Sequence, residues 1–250
     1  MPRAFKSIAV AAALAGLFTA TAVAQTATFS AEQKTAIEKI MRDYLLSHPE
    51  VLQEAVAELE KRQSAAEVEK SKAAVAEHRD ALINSPRQVV LGNPRGDVTM
   101  VEFFDYNCGY CKRALGDMMT LLKDDPKLRI VLKEFPVLGP GSVEAAQIAV
   151  AVRMQDKTGK KYLDFHQKLL GGRGQADRAK ALAAAKDAGL DMARIEKDSK
   201  SPEVRETLDE SMKLAEALGI NGTPSYVIGD KMVPGAVGLP ALKEHIAAAR

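Results

Sequence analysis

The spacing of hydrophobic positions changes near residue 86, and the change divides the chain. Residues 29–85 follow a helical pattern. Ser30 and Gln33 are spaced for a capping box, in which each side chain satisfies the other's free backbone N–H. Ile37, Ile40, Met41, Tyr44 and Leu45 then make one apolar stripe at helical spacing. Ser47-His48-Pro49-Glu50 restarts the helix with a proline in its first turn, where a missing N–H costs nothing. Val51, Leu52, Ala55, Val56 and Leu59 continue an apolar face. Beyond Glu60 the chain is charged and alanine-rich, with Val68, Val75 and Leu82 seven apart. A helix over residues 50–83 would be roughly 50 Å long at 1.5 Å per residue. Its apolar stripe is too narrow for burial in a globule. The region is either a solvated helix lying on the next domain or a stalk whose apolar part meets copies of itself. The expectation carried forward is a 25–85 helical region that self-associates through residues 29–60.

From residue 86 onward the period alternates. Asn84-Ser85-Pro86 stops the helix. Residues 89–91 and 98–104 read as strands around the turn Gly92-Asn93-Pro94-Arg95-Gly96. A helix over 108–124 and a strand over 128–135 follow. Ser142 opens a mainly helical block, punctuated by Gly159, Gly171-Gly172, Gly189 and Gly219 where helices can end. Strand pattern returns at 225–228 and 231–233, and 240–249 fits a closing helix. That order is α/β: a thioredoxin-like sheet over 86–250, with a helical insertion at about 142–218.

The first 24 residues have a different character. Arg3 and Lys6 precede an almost uncharged apolar run over 8–18, and Ala22-Val23-Ala24 makes a small-x-small site before Gln25. The alternative is a membrane anchor, but the run is alanine-rich and a span needs roughly 20 strongly apolar residues. A signal peptide over 1–24, cleaved after Ala24, implies export to a periplasm, where disulfides persist. Charge then excludes one class of partner. Residues 25–85 hold eight Lys/Arg against eleven Asp/Glu, so the totals of 35 and 33 leave residues 86–250 near +3 once Arg3 and Lys6 are removed. No part has the concentrated positive charge that nucleic-acid binding requires.

The chain has two cysteines, Cys108 and Cys111, in Cys108-Gly109-Tyr110-Cys111. A thiolate is the nucleophile of disulfide exchange, and a free cysteine at neutral pH is mostly thiol. A cysteine between a strand end and a helix start meets unpaired N–H groups and the positive end of the helix dipole, which favour its thiolate. Cys111 stands one turn further in, placed to close a small ring. Cys108 therefore attacks and Cys111 resolves. Structural zinc usually takes four protein ligands, and His48, His78, His166 and His245 form no paired motif. A purely structural role is also poor, since a bridge spanning two residues constrains the unfolded chain little. Exchange of this kind needs no cofactor and no metal.

Three stretches together resemble the DsbA-like family of periplasmic thiol–disulfide oxidoreductases. They are Val101-Glu102-Phe103-Phe104-Asp105-Tyr106-Asn107-Cys108-Gly109-Tyr110-Cys111-Lys112, Lys133-Glu134-Phe135-Pro136 and Gly219-Ile220-Asn221-Gly222-Thr223-Pro224. The resemblance implies a thioredoxin fold with a helical insert. It also implies that Thr223-Pro224 is a cis-proline loop beside the active-site disulfide, with the Thr223 backbone hydrogen-bonding a client peptide. Glu102 matches a buried acidic position of thioredoxin-like proteins, where a carboxylate accepts the proton that Cys111 loses. The alternative for Glu102 is an outward-facing strand residue. Gly-Tyr between the cysteines resembles the dimeric periplasmic isomerases, as does Thr before the proline. The N-terminal helices resemble, in pattern only, the extension of the oligomeric ScsC-like branch.

The expected function is disulfide exchange with exported cysteine-containing clients, as oxidase or isomerase. A membrane redox partner resets the pair. The alternative is an oligomeric chaperone or copper(I)-binding protein using the same thiols, since copper(I) favours soft thiolates. Tyr162, Phe165 and His166 either line the active-site face or form a core stripe.

Overall fold

The structure, a computed structural model, describes residues 29–250 except Lys157. The signal peptide expected over 1–24 lies outside the described residues. Packing divides the chain into two units, after Leu59.

In the first unit, α1 (Ala31–Ser47) begins with the expected capping box. Ser30 N donates to Gln33 Oε1 at 2.9 Å, and Gln33 N donates to Ser30 Oγ at 3.3 Å. His48 ends the helix and stacks on Tyr44, with ring centroids 4.6 Å apart. α2 (Glu50–Glu77) follows Pro49. None of the described residues up to Leu59 is buried. Ile40 is 67% exposed and Leu46 71%.

The second unit carries a five-stranded sheet. Its strands are β1 (Val89–Gly92), β2 (Val98–Phe104), β3 (Leu128–Glu134), β4 (Ser225–Ile228) and β5 (Lys231–Pro234), in the order β1-β3-β2-β4-β5. Only β2 and β3 run parallel, and the other three pairs are antiparallel. α4 (Gly109–Asp124) supplies the crossover between β2 and β3. α5 (Pro140–Gln155), α6 (Lys160–Leu170), α7 (Arg178–Asp187), α8 (Met192–Asp198) and α9 (Pro202–Ala217) form the insertion, and α10 (Leu239–Ala248) closes the chain. Alternation along β2 sorts the two faces. Met100 and Phe104 pack in one core with Met118 and Leu121 of α4 and Ile246 of α10. Val101 and Phe103 pack in the other with Val131, Leu214 of α9, Val75 of α2 and Leu82 of α3 (Arg79–Ile83).

Two expectations change here. The helix expected unbroken over 50–83 turns at His78, and its last turn is the separate α3. The end of α3 is held from β3. Lys133 Nζ reaches Ala81 O at 2.7 Å and Arg129 Nη2 reaches Ile83 O at 2.5 Å, so two cations satisfy the carbonyls at the end of α3. Burial lowers Lys133 to about 8, with Glu210 of α9 offsetting part of that cost. The boundary expected at 85/86 also differs from the packing, because Val75 and Leu82 are core residues of the sheet, 2% and 1% exposed. A chain beginning at Pro86 should consequently unfold at lower urea than one beginning at Glu60. Each lost side chain is worth roughly 1.5–3 kcal/mol of burial. Equal midpoints would show that these contacts add nothing.

Candidate active site

β2 delivers the chain to the site and stops at a knot of local hydrogen bonds. Asp105, 1% exposed, accepts from Asn107 N at 2.7 Å and Ser142 Oγ at 2.7 Å on Oδ1, and from Leu138 N at 2.9 Å on Oδ2. Its carbonyl accepts Cys108 N at 3.1 Å. Asn107 exchanges two bonds with the backbone of Ala176, at 2.6 and 2.9 Å, and donates to Ser142 Oγ at 2.9 Å. The bend before Cys108 is thereby tied to the start of α5 and to the α6–α7 connection. Lys112 adds a third tie, its Nζ 3.1 Å from both Gly172 O and Gly174 O.

Cys108 takes the N-cap position of α4. Its extended backbone (φ −75°, ψ 115°) turns the sulfur back over the first turn, where Sγ accepts Cys111 N at 3.3 Å. This is the N–H contact expected to favour a thiolate. Both cysteines are free thiols. Cys108 keeps 5% of its surface open and Cys111 none, so a client sulfur can reach only Cys108. Burial, above all, pushes the Cys111 thiol well up, and the charge of Glu102 adds to it.

Thr223-Pro224 is a cis peptide bond. The Cys108 thiol donates to Thr223 O at 3.1 Å, across 115 residues of sequence. Glu102 lies on the α4 face of β2, between Met100 and Phe104, and pairs with Tyr226 of β4. It is 4% exposed, so the outward-facing alternative does not hold. Burial first, then the charge of Asp117 on α4, carries its carboxyl up to about 8. Between the cysteines Tyr110 stands 59% exposed, with the Arg113 guanidinium 4.4 Å above its ring. All five predicted residues thus converge on the C-terminal end of β2 and the start of β4.

Tyr162, Phe165 and His166 are the core stripe, not a surface. Tyr162 donates to Glu134 Oε1 at 2.7 Å, and Tyr106 Oη sits 3.3 Å from Tyr162 Oη and 3.2 Å from His166 Nδ1. Burial lifts Glu134 to about 8 and lowers His166 to about 3, so at neutral pH the cluster is held mostly uncharged. Sequence reasoning missed Asp105, Asn107 and Ser142. Their only signal was a polar run just before the cysteines, since the contacts of Ser142 are formed across 35 and 37 residues.

Residues 99–247 match the family described as the DSBA-like thioredoxin domain. The chain belongs to that family, a family of thiol–disulfide oxidoreductases. Residues 33–66 match the Copper resistance protein ScsC N-terminal domain. A thioredoxin-like oxidoreductase from Silicibacter pomeroyi is 46% identical, with a TM-score of 0.65 over 69% of this chain and 97% of that one. A linker-deletion mutant of Proteus mirabilis ScsC is 30% identical, with a TM-score of 0.66 over 90% of this chain and 98% of that one. Disulfide bond formation protein D of Bacillus subtilis is 29% identical over 185 residues, covering 67% of this chain and 80% of that protein. The chain spans about a quarter of the length of other curated relatives it matches, such as Na(+)/H(+) antiporter NhaA 1 of Salinispora arenicola, 25% identical over 169 residues.

Proposed function

We propose that this DsbA-family chain exchanges disulfides with exported proteins in a periplasm and acts as a self-associating isomerase. The carrying observation is the position of Cys108 Sγ, which caps α4 through Cys111 N and touches the carbonyl of the cis-proline loop. Cys108 as thiolate attacks a client disulfide, forming a mixed disulfide and expelling one client thiolate. That thiolate can attack a different client disulfide, and a client thiolate then displaces Cys108, which is isomerisation. Alternatively Cys111 gives its proton to Glu102 and attacks Cys108, releasing the reduced client and closing the Cys108–Cys111 disulfide. Run backward, the same steps oxidise a dithiol client, and a membrane redox partner resets the pair. In the mixed disulfide the Thr223 carbonyl, freed from the Cys108 thiol, accepts an N–H of the client backbone, and Pro224 shapes that loop.

The apolar stripe of α1 and early α2 supports self-association. Ile40, Met41, Tyr44, Leu52, Val56 and Leu59 are each more than half exposed. An assembly with several Cys108 sites can hold one misfolded client and retry its pairings. Ile40→Glu with Leu52→Glu should convert the assembly to monomers in sedimentation equilibrium. A monomeric unsubstituted chain would overturn the assembly.

The match of residues 33–66 to a copper-resistance protein domain favours a second reading, copper(I) held by the two thiols. Titration with copper(I) against a competing chelator separates the two. Stoichiometric binding lost in both Cys108→Ser and Cys111→Ser supports the second reading. No competition leaves exchange alone.

A further inference from the structure

The geometry points to a second client-contact surface beside the thiols: the groove between α5 and α9 takes an extended, apolar client segment that carries a carboxylate. The inference rests on the exchange reading above. The groove holds about 710 Å³ and opens where β3 ends, at Pro136. β3 runs parallel to β2, so its C-terminal end lies at the same edge of the sheet as Cys108. Val143 of α5 and Val204, Leu208 and Met212 of α9 give it apolar walls. The last three are spaced i, i+4, i+8 and so line one side of their helix.

An apolar track joins this groove to the reactive sulfur. Leu138 N is bound to Asp105 Oδ2 at 2.9 Å, and Asp105 O holds Cys108 N. Leu138 is 49% exposed and Val137 40%, and beyond Pro136 the groove continues with Val143 at 37% and Met212 at 41%. On the inner side Ser142, next to Val143, touches Asn107, next to Cys108. A chain joined to Cys108 by its own cysteine therefore meets the track without leaving the surface. Unfolded chains present apolar side chains that a folded partner keeps inside, which is why the occupant is a client segment.

Charge refines the choice. Arg178 at the groove is paired with Glu196 at 2.7 Å. Lys200 and Arg205 line it too, and neither has an ion-pair partner among the described residues. They stand against one carboxylate, Asp209. A client carboxylate gains from those two cations, whereas a basic segment is repelled. This surface lies on the β3 side of the site, apart from the Thr223 carbonyl.

The test compares peptides whose single cysteine is joined to glutathione as a mixed disulfide, reacting with the reduced full-length chain. Each glutathione or peptide thiol released uses up one protein thiol, so total thiol stays constant and the rate is read from the released glutathione and peptide themselves, separated by reversed-phase chromatography. One peptide has a glycine–serine core; the others add a leucine–valine stretch with an aspartate, on either side of the cysteine in turn. At least one extended peptide should react about tenfold faster than the core, because one buried apolar side chain is worth about that factor. Met212→Asp should abolish the gain. Arg205→Glu should also abolish it, and should restore it when lysine replaces aspartate in the peptide, a reversal that unfolding cannot produce. Equal rates for core and extended peptides, or variants without effect, would overturn the groove. Glutathione disulfide serves as the control: all variants should reduce it equally. If the unsubstituted chain cannot reduce it, the exchange reading fails first and the groove assignment falls with it.

Discussion

Cys111→Ser arrests the protein as a covalent adduct with a single-disulfide client, and reduction of that client slows by at least about 10³-fold, because an external thiol must replace a partner held at high effective concentration. The expectation follows from burial. Cys108 is the sulfur with an open face, and Cys111 reaches only what Cys108 already holds. Cys108→Ser should give no adduct at all. Non-reducing electrophoresis of each variant after incubation with a disulfide client reads the difference. Adducts through Cys111 in the Cys108→Ser protein would reverse the assigned order.

Glu102→Gln has the second large effect, on rate and on stability together. The resolving attack needs the Cys111 proton to leave, and burial makes that thiol a poor acid. Glu102, with its carboxyl near 8, accepts the proton only when ionised. The rate at which Cys111 releases a trapped client should therefore climb as pH rises and level off above about 8. Gln at this position removes that inflection and slows the step by about 10²-fold, a usual share for a positioned base. Stopped-flow release of a fluorescent client between pH 5 and 9 measures both. An unchanged profile would dismiss Glu102 from the chemistry.

Stability moves in a definite direction with the same group. Its folded value is raised from 4.5 to about 8, so the folded state holds a proton that the unfolded state has lost across that window. The contribution is fully present below 4.5 and is lost as pH climbs through about 8. A difference of that size is worth roughly 5 kcal/mol of preference for the neutral carboxyl. Glu134, also raised to about 8 by burial, contributes a second decline of the same sign, opposed by the hydrogen bonds of Tyr162 and Tyr106 and by the charge of Arg153. Unfolding midpoints of the unsubstituted protein should thus fall from pH 5 to pH 8. Glu102→Gln should make that fall shallower without removing it.

What the sequence makes legible here is local. Cys108 at the start of α4 and the Ser30–Gln33 box each follow from spacing within a few residues. The buried side of Glu102 came through family resemblance, with an outward-facing strand residue as the alternative. The cis-proline loop came through family resemblance, and Thr223 meets Cys108 as that resemblance implies. The unreadable parts depend on partners far along the chain. The end of α3 is held by Arg129 and Lys133, which reach its carbonyls from about 50 residues away. Seven-residue spacing of Val68, Val75 and Leu82 fits either a solvated helix lying on the next domain or a stalk. The same spacing serves burial against Val101 and Phe103 once the helix turns. Asn107 and Ala176 pair across 69 residues, and no pattern near either one announces it.

The most direct measurement is recovery of activity by ribonuclease with scrambled disulfides, incubated with the mature chain in a glutathione buffer. Recovery well above the buffer alone, abolished by Cys108→Ser and largely lost in a chain beginning at Glu60, is the predicted result. The shorter chain should still react with single-disulfide peptides, because it retains the whole sheet and both cysteines. No recovery, with client disulfides left as they began, would contradict disulfide exchange as this protein's work.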